Sequence, residues 1–144
     1  LGRCEADTVV LVHDAARPLT PPQVTGRVID AVAGGAGAVI PVLPVTDTLK
    51  TVDASGVVVG TPRRSDMAAV QTPQGFRCDA RNRAHEDGAP LRADEARAAT
   101  DDAGLVEAIG GSVQTVAGDE LSLKVTRPLD LALARLLADQ EQAD

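Results

Sequence analysis

The chain of 144 residues contains no tryptophan and no tyrosine, and Phe76 is its single phenylalanine. Aromatic platforms for stacking nucleobases are thus missing, and a core has to be assembled from Val, Leu, Ile and Ala. The net charge is -7, from 21 acidic against 14 basic residues, the opposite of the basic footprint that nonspecific nucleic-acid binding needs. Lysine is scarce. Only Lys50 and Lys124 occur among the basic residues, so each marks a compact point charge in a chain that otherwise uses the arginine fork. Cysteine is scarce too: Cys4 and Cys78 are the only two, and with no secretory pattern at the start they read as reduced thiols in a soluble, cytoplasmic protein. No run approaches the roughly 20 apolar residues of a membrane span. No second His or Cys stands at ligand spacing from His85, which reads as an exposed helix residue, and no residue is assigned to a metal. Repeats and low-complexity tracts are likewise absent.

What is present is organised around Val9-Val10-Leu11-Val12-His13-Asp14-Ala15-Ala16-Arg17-Pro18. Four apolar residues, three of them β-branched, predict a strand buried on both faces inside a parallel sheet. The polar residues then fall at its carboxyl end, the edge at which open α/β sheets bind ligands. Asp14 and Arg17 are therefore candidates for chemistry, although a turn cap and a solvated arginine would produce the same pattern. Thr20-Pro21-Pro22-Gln23 supplies a helix start with Thr20 as cap, and a helix over 21–32 follows with Val24, Val28 and Val32 on one face. Gly34-Gly35-Ala36-Gly37 stops it; these glycines follow a helix and precede a strand, the reverse of a dinucleotide fingerprint. A second buried strand over 38–42 completes an expected right-handed βαβ unit.

Past Val45 the pattern changes. Two short apolar runs flank Asp53-Ala54-Ser55-Gly56 and predict a hairpin arm over about 45–62, whose uncovered apolar residues suit dimerisation or folding back on the domain. Arg63-Arg64 follows, a pair that either solvates a loop or forks onto a phosphate. The order continues with a weak helix over 79–87, a charged loop over 88–99 and a helix over 100–109 with Thr100 as its cap. Strands over 112–116 and 121–125 come next, then a last helix capped by Thr126 that presents Leu129, Leu133, Leu136 and Leu137 on one face. Lys124 falls at a strand end, where it is either a surface residue or a phosphate ligand.

The segments His13-Asp14-Ala15-Ala16-Arg17-Pro18, Pro44-Val45-Thr46-Asp47-Thr48-Leu49-Lys50, Thr72-Pro73-Gln74-Gly75-Phe76, Thr100-Asp101-Asp102 and Lys124-Val125-Thr126-Arg127-Pro128-Leu129-Asp130 occur in one order. That order resembles the 2-C-methyl-D-erythritol 4-phosphate cytidylyltransferases of non-mevalonate isoprenoid synthesis, from about Thr8 to about Ala138. The resemblance implies an α/β, Rossmann-like nucleotidyltransferase fold with a mostly parallel sheet flanked by helices and a protruding hairpin arm through which a homodimer forms. It implies transfer of CMP from CTP to the acceptor alcohol phosphate, with Mg²⁺ held mainly by the CTP phosphates and pyrophosphate released. By position, Asp14, Ala15, Arg17 and Thr100 would hold the acceptor and Lys124 would supply charge in the same subunit. Arg64 and Thr72, with Thr48 from the arm, would reach the acceptor phosphate of the neighbouring subunit. Arg64 and Lys124 are the candidate catalytic residues.

The family's Gly-rich loop that wraps the CTP phosphates has no counterpart in these residues. Residues 1–144 are accordingly expected to be the C-terminal part of a single cytidylyltransferase domain and not to turn over CTP alone. Asp101 stands where the family often has Glu. Pentitol-phosphate cytidylyltransferases share the framework and are the alternative reading, as is a noncatalytic dimerisation fragment. Phosphoryl-type transfer asks a protein mainly for positioning and positive charge, and no nucleophile-base triad is evident among His13, His85, Cys4 and Cys78.

Overall fold

The computed structural model describes residue 5 and residues 8–87 and 101–141. The loop expected over 88–99, Thr100 and Cys4 lie outside the described residues. In chain order the elements are β1 (Val9–Val12), α1 (Pro22–Ala33), β2 (Ala38–Pro44), β3 (Thr51–Val52), β4 (Val58–Gly60), β5 (Ala68–Val70), β6 (Gln74–Arg77), α2 (Cys78–Asp87), α3 (Asp102–Ala108), β7 (Val113–Ala117) and α4 (Pro128–Glu141).

β2 is the strand around which the sheet forms. Its first four residues, Ala38, Val39, Ile40 and Pro41, are all buried, and it has ladder neighbours on both sides: β7 parallel on one, β6 and then β5 antiparallel on the other. Side chains alternate across a pleated strand, so Ala38 and Ile40 join Phe76, Leu105 and Val106 in one core while Val39 joins Val28 and Val32 in another. One face is covered by α1 and the other by α2 and α3. The valines of α1 recur every four residues, one helical face, and Val24, Val28 and Val32 are 0%, 0% and 2% exposed. Each contributes on the order of 1.5–3 kcal/mol by leaving water. α1 lies so close to β6 that a Cβ on Gly75 would run into the Val28 side chain.

The α/β class is as expected, but the sheet is mixed where a mostly parallel one was anticipated. β1 pairs with β6 antiparallel, and β6 separates it from β2. The strands β1, β2 and β7 run one way, and the segment β5–β6 threads back between them. A period-2 pattern sets which face is buried and carries no information on strand direction. β1 itself is half-buried, with Leu11 37% exposed and β6 its one ladder neighbour among the described residues, so the doubly buried strand expected at β1 is found at β2.

Several local readings change as well. Pro21, not Thr20, is the residue before the first turn of α1, with no side-chain cap bond; the Thr20 hydroxyl donates instead to the Arg17 carbonyl. Asp101 caps α3, its carboxylate accepting from the Gly104 amide at 2.8 Å. The strand expected over 121–125 is a 3-10 turn over Glu120–Ser122 followed by irregular chain. At α4, the Asp130 carboxylate reaches back to accept from the amides of Thr126 and Arg127 and from the Thr126 hydroxyl, so Asp130 satisfies the helix start where Thr126 was expected to. The leucine stripe of α4 stays exposed: Leu129, Leu133 and Leu136 are 75%, 47% and 57% accessible. His85 is not the exposed residue expected, since its side chain is 14% exposed and stands 2.9 Å from Asp102, which also pairs with Arg81. Cys78 is buried and disulfide-bonded, in place of the reduced thiol expected. Among the described residues no helix is long and apolar enough to cross a membrane.

Candidate functional site

The chain leaving β1 turns at Ala15 and Ala16, where the Arg17 amide donates to the Asp14 carbonyl at 2.9 Å. The Asp14 amide donates to the Thr72 hydroxyl at 3.0 Å, and that hydroxyl also lies 2.9 Å from His13 Nδ1. Thr72 occupies the bend between β5 and β6, where the Thr72–Pro73 peptide is cis. From the far side of the sheet, the chain beyond β7 brings the Lys124 ammonium to 3.0 Å from the Asp14 carboxylate. The next amide, that of Val125, donates to the Ala16 carbonyl at 2.8 Å. Three separate stretches of sequence thus meet at Asp14: its own loop, the β5–β6 bend and the chain past β7.

Arg17 closes this cluster from behind. Its side chain is only 12% exposed and its Nε stands 3.7 Å from the Asp14 carboxylate. The guanidinium donates to the backbone carbonyls of Ser122 and Val70. Burial draws its pKa below the ordinary arginine value, and the neighbouring Asp14 charge offsets part of that. Asp14 and Lys124 remain more open, at 39% and 48% side-chain exposure. A carboxylate and an ammonium held side by side at an accessible edge present both an acceptor for hydroxyls and a point charge for a phosphate.

Ala15 lies in the turn between Asp14 and Arg17 and is brought to the cluster by that loop. Thr72, grouped by the resemblance with Arg64 and Thr48, makes its described contacts with His13 and Asp14 of its own chain. Arg64 and Thr48 lie elsewhere, beside the hairpin arm. Arg64 begins a 3-10 turn, is exposed, and donates to the Thr46 carbonyl at 2.8 Å; Thr48 is exposed in the loop before β3. The arm is a separate two-stranded sheet of β3 and β4. Its turn closes on itself: the Asp53 carboxylate accepts from the Ser55 hydroxyl and amide and from the Val57 amide, which lowers its pKa. Gly56 there takes a φ of 84°, a left-handed value that suits glycine.

Residues 3–140 match the family model described as 2-C-methyl-D-erythritol 4-phosphate cytidylyltransferase. The chain belongs to this family. Its relatives include the 2-C-methyl-D-erythritol 4-phosphate cytidylyltransferases of Nocardia farcinica, 54% identical over 133 residues that are 92% of this chain and 54% of the relative, and of Frankia casuarinae, 56% identical over 138 residues, 95% and 49%. The chain spans about half the length of these curated relatives. Among solved structures, the cytidylyltransferase of Thermus thermophilus superposes with a TM-score of 0.77 at 40% identity, over 91% of this chain and 62% of that one. The Francisella tularensis enzyme gives 0.82 at 26% identity, over 94% and 62%. The cytidylyltransferase family thus accounts for the α/β fold of this chain.

Two participants escaped the sequence reading. His13 was visible only as a neighbour of Asp14, and its approach to Thr72 needs the cross-sheet register of β1 and β6. Gln71, buried at 5% exposure, gave no signal beyond preceding Thr72.

Among the described residues no three carboxylate, imidazole or thiol groups converge on a point that could hold a metal ion. Asp14 is already engaged by Lys124 and Arg17. A divalent ion of the Mg²⁺ type, which asks for several oxygens in octahedral array, does not fit this donor set as a protein-held ion.

Proposed function

We propose that the full-length protein carries CMP from CTP to 2-C-methyl-D-erythritol 4-phosphate, and that this chain supplies the acceptor half of that site. A phosphate oxygen of the acceptor attacks the α-phosphorus of CTP, the bond to the bridging oxygen breaks, and pyrophosphate leaves. Asp14 accepts from hydroxyls of the acceptor, with the Ala15 backbone and Thr72 beside it; Thr100 is assigned to the same acceptor by the family pattern. Lys124 supplies positive charge next to the oxygens that carry the developing negative charge, a placement worth more in a half-buried setting than in water. Arg17 supports the cluster from behind through its bonds to the Ser122 and Val70 carbonyls.

Arg64 and Thr48 act in trans. Both sit at the root of an arm whose valines are exposed, Val52 at 56%, Val57 at 59%, Val58 at 54% and Val59 at 61%. An uncovered apolar arm of this kind suits a homodimer contact, which would carry Arg64 to the phosphate held by the other subunit, where its fork fits the oxygens. Mg²⁺ belongs to the CTP phosphates in this scheme, and no residue of this chain is assigned to it.

The observation that carries the reading is the 3.0 Å pairing of Lys124 with Asp14 beside Thr72, in a chain of this family. The test is pyrophosphate release by the full-length protein given CTP and each candidate acceptor. Release with methylerythritol phosphate is expected; a strong preference for ribitol phosphate would replace it with the pentitol-phosphate reading, and no release with either would sink nucleotidyl transfer.

A further inference from the structure

Among the described residues, the stretch that delivers Lys124 belongs to no strand. After β7 ends at Ala117 the chain runs through the 3-10 turn over Glu120–Ser122 and on to Val125. Backbone groups outside a ladder have to find partners elsewhere; here the Gly118 and Val125 amides donate to the Val42 and Ala16 carbonyls, and side chains hold much of the rest. Arg27 of α1 donates to the carbonyls of Ala117 and Gly118 at 2.8 and 3.2 Å, and Arg17 donates to that of Ser122. Between them Gln71 takes both backbone groups of Asp119: its Nε2 donates to the carbonyl at 2.8 Å and its Oε1 accepts from the amide at 3.0 Å.

Gln71 differs from the two arginines in what it connects. Its own amide donates to the Pro41 carbonyl of β2 at 2.8 Å, and the next residue is Thr72. A primary amide has donor and acceptor in one plane, as a peptide unit does, so it replaces a missing strand neighbour for Asp119. The fit is close. A Cβ on Gly118 would strike the Gln71 amide oxygen and stand 3.0 Å from the Val42 carbonyl.

We propose that Gln71 is a positioning residue that fixes the spacing between Thr72 and Lys124, the two groups that meet Asp14 at its amide and at its carboxylate. The proposal rests on the acceptor-site reading above. Acting through Lys124 and Thr72, Gln71 touches no substrate; its loss shifts the acceptor subsite and leaves the nucleotide subsite alone.

The experiment compares wild-type, Gln71→Met and Gln71→Glu forms of the full-length protein. Methionine keeps the length and loses both bonds; glutamate keeps the acceptor and loses the donor. Gln71→Met is expected to lower kcat/KM for the acceptor alcohol phosphate about 10- to 100-fold, as a displacement on the order of 1 Å does, with KM for CTP unchanged and Gln71→Glu between the two. On a Lys124→Ala background Gln71→Met should add little further loss. A rise in KM for CTP as large as the acceptor loss, or full additivity with Lys124→Ala, would overturn the proposal. A second readout needs no turnover: the ¹³C signal of reductively methylated Lys124, assigned by its loss in Lys124→Arg, should move in Gln71→Met. An unmoved signal refutes positioning. A wild type without turnover counts against the functional reading alone, and the signal still decides the role of Gln71. Should Gln71→Met fail to fold, Gln71→Glu carries the same kinetic comparison and the same signal.

Discussion

The Asp14 cluster and the hairpin arm are built in opposite ways. At Asp14, partners come from 58 residues away in Thr72 and from the chain beyond β7 in Lys124, and Arg17 joins them across 105 residues to Ser122. In the arm every described hydrogen bond is local: Asp53 with Ser55 and Val57, Lys50 with Thr61 across the hairpin root at 2.7 Å. The described contacts of the cluster run between segments that the sheet brings together within one chain. The arm is complete in its backbone but leaves four valines in water. A cluster joined across the sheet and a locally closed hairpin need different construction, and the same strand chemistry serves both because burial on one side decides which results.

The comparison is sharpened or broken most strongly at Lys124. Lys124→Ala in the full-length protein should lower kcat about 10²- to 10³-fold, the usual consequence of removing a preorganised charge from a transition state, with little change in melting temperature because the side chain is 48% exposed. A near-normal rate would reduce the cluster to scaffolding.

Arg64→Ala should cost about 10²-fold on the same grounds, and it also tests the division between the regions. If Arg64 acts across a dimer, mixing inactive Lys124→Ala and Arg64→Ala subunits restores one intact site per hybrid, so activity returns on subunit exchange. Exchange without recovery would place Arg64 in its own subunit's site or outside it altogether.

Val58→Asp should leave the sheet domain folded and weaken self-association by about 10-fold or more, at roughly 1.4 kcal/mol per decade. Sedimentation of the variant against the wild type reads it; an unchanged dimer would remove the arm from the interface.

The smallest effect concerns Asp130, whose pKa is lowered from 3.8 to about 2, mainly by the bonds from the Thr126 and Arg127 amides. The folded group holds its proton less tightly than the unfolded one, so its contribution is complete above the ordinary carboxylate range and lost as pH falls through about 2. A carboxyl ¹³C titration should give that midpoint. Asp130→Asn should fray the first turn of α4 while leaving the Asp14 cluster as it is.

Much of both regions was legible in the residues. The valine spacing of α1, the hairpin around Asp53-Ala54-Ser55-Gly56 and the glycine stop after α1 follow from local periodicity and turn chemistry, which act within a few residues. The motif order singled out Asp14 and Lys124 together and assigned Thr72 to the neighbouring subunit instead. What escaped was nonlocal. Nothing near β6 says that it runs antiparallel between β1 and β2, and nothing near Leu121 says that its apolar run is a 3-10 turn held by Gln71 and Arg17. The exposed leucines of α4 show the same limit, since an apolar stripe states what a helix can bury and not what it meets.

By itself the sequence determined the α/β class and the family, because propensities, apolar spacing and ordered motifs are written along the chain. Only the tertiary structure decided that the Thr72 hydroxyl meets Asp14 of its own chain, that Arg17 turns inward to carbonyls, and that Gln71 links β2 to Asp119 beyond β7. Those depend on strand direction and register, through which residues far apart in the chain come within hydrogen-bond distance, and no short-range pattern encodes them.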